Sequence, residues 1–127
     1  MDRVARESLT LPPLGRALVP TGVSIALPPG YTAWITPRSG LAIKHGISMV
    51  NAPGIIDAGY RGEISVVLWN TDATESFEVV AGERIAQMIV TPHSAAELVQ
   101  VESLPGTHRG GGGFGSTGST TPPGDAS

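Results

Sequence analysis

The sequence predicts an all-β domain of sandwich, jelly-roll or barrel type. Short apolar runs recur along most of the chain, broken by Gly, Pro and Asn turns, and one of them alternates at the two-residue spacing of a strand. Only Ser39 to His45 suits a helix, of no more than two turns. Arg16 to Leu27 is rich in small and branched apolar residues, and Pro28-Pro29-Gly30 closes it with a turn. In Tyr31 to Thr36, alternation sets Tyr31, Ala33 and Ile35 on one face and Thr32, Trp34 and Thr36 on the other. Ile47 to Val50, Ile64 to Trp69, Phe77 to Val80, Ile85 to Thr91 and Leu98 to Val101 read as further strands, with turns at Asn70-Thr71-Asp72 and Ala81-Gly82-Glu83. No internal repeat is present.

The chain has 127 residues, the length of one domain. Residues 1–104 read as the β domain and 105–127 as a flexible Gly-rich arm with little to bury. With two each of Phe, Tyr and Trp, the core must come from Val, Ile, Leu and Ala. So small an interior makes oligomerisation a reasonable expectation. The absence of cysteine excludes disulfides, thiolate metal sites and a Cys nucleophile, and fits a cytoplasmic setting. A net charge of −3 without a basic run argues against nucleic acid as a partner. No apolar stretch is long enough to cross a bilayer, and Met1-Asp2-Arg3 does not begin a signal peptide, so no membrane partner is expected.

Four segments could carry chemistry. In N-A-P-G-I-I-D-A-G-Y-R-G-E, Asn51 to Glu63, a turn on Pro53 and Gly54 separates two β-rich runs. Asp57 stands among apolar neighbours, where an unpaired buried carboxylate is costly, and Tyr60 follows between glycines. Backbone beside a glycine approaches a flat ligand closely, with the aromatic ring as a floor; a tight hairpin with a solvated Asp is the plainer alternative. In Pro37-Arg38-Ser39-Gly40, Ser39 is a natural N-cap, and a helix start beside Arg38 suits a phosphate; an ordinary cap with a surface arginine is the alternative. In Gly82 to Gln87, alternation places Gln87 with Ile85 and Ile89 on a core-facing side, where its amide needs a partner in the sheet or in a ligand. Arg109 to Gly118 sets one arginine and one phenylalanine in a glycine field. A spacer needs neither, but a strap ordering over a nucleotide would use both. His45, His93 and His108 lie in unlike contexts and read as surface residues rather than zinc ligands.

Taken in order, P-R-S-G-L-A (Pro37 to Ala42), the Asn51 to Glu63 segment, G-E-R-I-A-Q (Gly82 to Gln87) and R-G-G-G-G-F-G-S-T-G (Arg109 to Gly118) resemble the second to fifth motifs of the trimeric dUTPase family, in an actinobacterial-like form. The likeness runs from about Leu11 to Gly118. The family's first motif, a strand ending in A-G-x-D-L-x-A, is the departure. Asp2 falls in register with its Asp, Arg3 replaces the Leu, and the residues before are missing. Either the start was assigned late or the first strand is lacking, and the second case would leave a sheet edge uncovered and put Asp2 on a fraying terminus. Ile55, where Thr is common, and Ser65, where a longer side chain is frequent, are smaller departures.

The resemblance implies a distorted jelly-roll barrel and hydrolysis of dUTP to dUMP and pyrophosphate, which supplies dUMP for thymidylate synthesis and keeps uracil out of DNA. It implies Asp57 as general base, Tyr60 beneath the deoxyribose, and Asn51, Gly54, Ile55, Ile56 and Ser65 around the base. Arg38, Ser39, Gly40, Gln87 and Arg109 would hold the phosphates. Phe114 would cover the uracil, with Gly115, Ser116 and Thr117 closing over the nucleotide. Mg²⁺ would be held mainly by the triphosphate, with Asp2 helping through water. Each site would be shared in a homotrimer. Two other readings stand beside this one: a nucleotide-binding or interaction protein on the same scaffold, impaired in catalysis, and a dCTP deaminase-like enzyme, for which Glu63 is the only carboxylate that offers itself.

Overall fold

The computed structural model describes residues 1–114. The chain divides into two units, Met1–Ala95 and Ala96–Ser127. The first holds nine strands and one short helix: β1 Asp2–Val4, β2 Leu9–Leu11, β3 Arg16–Pro20, β4 Tyr31–Pro37, α1 Ser39–His45, β5 Ile47–Met49, β6 Gly54–Ile56, β7 Ser65–Asn70, β8 Phe77–Val79 and β9 Arg84–Pro92. The strands form three antiparallel ladders, ordered β1-β9-β4-β6, β3-β7-β5 and β2-β8. Their inner faces share one core, in which Leu11, Val19, Ile47, Val66, Leu68 and Ile85 are almost fully buried. Each such side chain removed from water contributes about 1.5–3 kcal/mol.

The strands are shorter than the apolar runs suggest. Of Arg16 to Leu27, only Arg16–Pro20 pairs, against β7. The rest lies outside any ladder, bonds through Thr21 and Val23 to the Ile64 backbone and lays Val23, Ile25 and Leu27 against the core before the Pro28–Gly30 turn, where Tyr31 N donates to Pro28 O at 3.2 Å. Leu98 to Val101 is not a strand: all four residues are exposed and lack a ladder partner among the described residues. Branched apolar character alone does not make a strand without a neighbouring edge. In the second unit, residues 96–114 contain no helix or strand, and Gly110 N donates to Thr107 Oγ1 at 3.0 Å.

The first strand, lacking on the second of the two readings of the chain's start, is present in short form. Asp2 and Arg3 pair with Gln87 and Ala86 of β9, and Met88 N donates to Met1 O at 2.7 Å. Three residues suffice to satisfy that stretch of the β9 edge.

A second correction follows from the same pairing. The register slips between Arg3 and Val4, so that Val4 faces Arg84 and Ile85 is the extra residue of a bulge. Ile85 and Ala86 consequently both point inward, and Gln87 turns outward to an exposed position instead of facing the core with Ile85.

The helix is α1, but Ser39 is its first residue and not its cap. Arg38 holds the N-cap position with extended backbone, and no side chain caps the helix. Gly46 ends it in the left-handed conformation (φ 67°), returning its N–H to Ala42 O.

Asn70 ties the end of β7 to two loops. It is completely buried, and its Nδ2 donates to Leu11 O (3.2 Å), Pro12 O (3.3 Å) and Glu75 O (2.8 Å). Its Oδ1 accepts from Asp72 N at 3.0 Å. Replacing it with alanine strands several buried polar groups. Asn70→Ala is expected to lower unfolding free energy by about 3 kcal/mol, measured by urea denaturation. Beyond it, the Asp72 carboxyl is held below its usual range by backbone N–H donors from Glu75 and then Thr74.

Candidate active site

The segment Asn51 to Glu63 leaves β5, makes the Pro53 turn and returns as β6 beside β4, with Ile35 opposite Gly54 and Ala33 opposite Ile56. Past β6 it turns again, Tyr60 N donating to Asp57 O at 3.1 Å, before entering β7. Between these turns lies a cavity of about 200 Å³. Asn51, Gly54, Ile55, Ile56, Asp57, Tyr60 and Ser65 line it, seven residues singled out from sequence. Ile35, Met49 and Ile64 complete the wall. These three read from sequence as plain core, and nothing in their pattern distinguishes them from other buried apolar residues.

Gly54 is buried in the β6 ladder, and a Cβ there would make ordinary contact with Ile35 Cβ at 3.5 Å. Asn51, the β6 backbone, Asp57 and Tyr60 supply polar groups to the cavity wall. Asp57 is exposed, which corrects its reading as a carboxylate in apolar surroundings: the neighbouring Ile56 points inward while Asp57 emerges on the surface.

A second cluster forms at the C-terminal end of β4. Asp2, Gln87 and Thr36 stand side by side across β1, β9 and β4. Arg38 Nη1 donates to Asp2 Oδ1, and Arg84 Nη1 lies 3.5 Å from Asp2 Oδ2. Arg84 was not anticipated from sequence; its presence in G-E-R-I-A-Q was the only available signal. Ser39 and Gly40 open α1 with exposed faces. Arg38, Ser39, Gly40 and Gln87 are not among the residues that line the cavity, so the sequence-singled residues fall into two groups.

Among the described residues, no group of three or more His, Asp or Glu is arranged to hold a metal. The Asp2 carboxylate is balanced by the two arginines beside it. His45 is exposed and rests against the Phe77 ring at 5.1 Å. No described helix is long and apolar enough to cross a membrane. In the second unit, Arg109 Nη2 donates to Gly113 O at 3.3 Å and Phe114 is fully exposed. Gly115, Ser116 and Thr117 lie outside the described residues.

The dUTPase family model matches residues 1–118. The deoxyuridine 5'-triphosphate nucleotidohydrolase of Leifsonia xyli is 57% identical over 119 residues, covering 94% of this chain and 78% of that protein. The enzyme of the same name from Wolinella succinogenes is 60% identical over 117 residues, covering 92% and 78%. Among solved structures, a Staphylococcus bacteriophage 80alpha dUTPase with dUpNHpp superposes with a TM-score of 0.82 at 30% identity, covering 92% of this chain and 84% of that one. A phage phi11 dUTPase variant, described as revealing coordination of a structural Mg(II) ion, superposes at 0.75 with 25% identity, covering 80% and 82%.

Proposed function

This chain belongs to the dUTPase family and hydrolyses dUTP to dUMP and pyrophosphate, and we propose that it does so at a site shared between copies, with Asp57 as the base. The observation that carries the residue assignment is the cavity that gathers Asn51, the β6 backbone, Asp57 and Tyr60 around a space fit for a pyrimidine nucleoside. Uracil would bond to Asn51 and to the backbone from Gly54 to Asp57. Donors and acceptors matched to uracil leave groups unpaired against cytosine, a large penalty. Tyr60 would lie under the deoxyribose and crowd a 2′-hydroxyl.

The reaction asks little covalent chemistry of the protein. Asp57 would accept a proton from a water as its oxygen bonds to the α-phosphorus and the bond to the bridging oxygen breaks, releasing pyrophosphate. Arg38, Ser39 and Gly40, with Gln87 and Arg109, would neutralise the phosphate oxygens. Bound Mg²⁺ would offset triphosphate charge, and Asp2 would hold it through water. In that state Arg38 would exchange its bond to Asp2 for one to phosphate.

Asp57 lines the cavity and Arg38 does not, which supports a composite site. Both serve one triphosphate most simply when the second comes from another copy, consistent with a homotrimer. The arm from residue 105, with Phe114 over the base and Gly115, Ser116 and Thr117 closing on the nucleotide, would then come from a neighbour. A cytoplasmic enzyme supplying dUMP for thymidylate synthesis is the setting we assign.

The deaminase reading has a structural argument against it. Glu63 is committed: its Oε2 accepts from Gly22 N at 2.7 Å and its Oε1 from Arg6 Nη1 at 3.1 Å. With Mg²⁺, the chain is expected to release pyrophosphate from dUTP and no ammonia from dCTP, and light scattering is expected to give three times the chain mass. Ammonia release would restore the deaminase reading, and an active monomer would remove the shared site.

A further inference from the structure

The turn that carries Asp57 and Tyr60 is braced by two residues with no role in the scheme above. Tyr60 folds its ring back over Gly62 and donates its hydroxyl to the Glu63 carbonyl at 2.7 Å. A Cβ built on Gly62 would lie 2.6 Å from Tyr60 Oη, 2.8 Å from Cζ and 3.1 Å from Cε1. The ring thus occupies the space that any side chain at 62 would need. Gly62 is not in the left-handed region, so its backbone admits alanine, and the three atoms nearest an added Cβ all belong to Tyr60.

Glu63 is a firm anchor for that ring. Its carboxylate takes the Gly22 N–H and the Arg6 guanidinium. The next residue, Ile64, is buried; its N–H donates to Val23 O at 2.8 Å and its carbonyl accepts from Thr21 N and Thr21 Oγ1. The Tyr60 hydroxyl is therefore tied, through one carbonyl, to backbone fixed by the core.

We infer that Gly62 and Glu63 are positioning residues that set where the Tyr60 ring stands in the cavity, and so set the discrimination between deoxyribo- and ribonucleotide. The inference rests on the reading of Tyr60 as the residue beneath the sugar. Excluding one hydroxyl sterically requires a ring that cannot retreat, and a phenol held at its far end by a pinned carbonyl, with its edge against a bare Cα, meets that need.

The test compares kcat/KM for dUTP with kcat/KM for UTP, alongside thermal unfolding of each variant. Gly62→Ala forces the ring off its bond to Glu63 and is expected to lower the dUTP-to-UTP ratio about tenfold while melting within a few degrees of the parent. Tyr60→Phe keeps the ring, loses the tether and is expected to move the ratio the same way by less. Gly59→Ala, where an added methyl meets open space, is expected to leave it unchanged. A Gly62→Ala protein with an unaltered ratio, or one that no longer folds, overturns the inference. Tyr60→Ala separates the two layers: if it collapses the ratio while Gly62→Ala does not, only the inference fails. If Tyr60→Ala also leaves the ratio intact, the placement of Tyr60 under the sugar is wrong.

Discussion

Asp57→Asn is expected to reduce kcat for dUTP by roughly 10²–10⁴-fold, the range a positioned general base contributes. The amide keeps the shape of the carboxylate but cannot take the proton from water. Asp57 is exposed on the turn after β6, and its backbone carbonyl still accepts from Tyr60 N in the variant. The substitution should therefore leave the melting temperature and the cavity wall intact. The affinity for a non-hydrolysable dUTP analogue is expected to change by no more than a few-fold, since Asn51 and the β6 backbone would still hold the base. Removing a negative charge near the phosphates favours binding if anything. An equal loss of affinity and turnover would show that Asp57 binds substrate rather than activating water.

A chain ending at Pro105 is expected to fold and assemble normally, yet to lose about 10²-fold or more in kcat/KM. The buried residues of the core run from Ala5 to Met88, so the deletion removes none of them. It does remove Arg109, Phe114 and residues 115–117, which the proposed site uses to grip the outer phosphate and cover the uracil. Mixing the truncated chain with an Asp57→Asn chain that keeps its arm gives a sharper readout. If arms are donated by neighbours, mixed trimers should recover part of the lost activity. Full activity in the truncated chain alone would show that the arm has no part in catalysis.

The fold and much of the cavity are legible in the sequence because both rest on local signals. Alternation at Tyr31 to Thr36 marks β4, glycine and proline mark the turns, and Asn51, Gly54 to Asp57 and Tyr60 reach the cavity from one short stretch of chain. What escaped depends on long-range pairing. The outward aim of Gln87 comes from a one-residue bulge opposite β1, visible only once Asp2 and Arg3 are placed against β9. Asn70, read as a turn residue, is buried because the loops at Pro12 and Glu75 close over it. Leu98 to Val101 has the composition of a strand but no ladder partner, and composition does not say which edge is available. Glu63 stands inside a recognisable motif, yet its bonds to Gly22 and Arg6 span more than forty residues.

The central claim is that Asp57 stands behind the α-phosphorus of a nucleotide whose phosphates are held by Arg38 of another copy. The most direct measurement is a crystal structure of the full chain with Mg²⁺ and an α,β-imido analogue of dUTP. The account predicts the Asp57 carboxylate within hydrogen-bond distance of a water in line with the scissile bond, with uracil against Asn51 and β6, and a neighbouring chain's Arg38 on the phosphates. An Asp57 side chain directed into bulk solvent, with the triphosphate bound elsewhere, would contradict it.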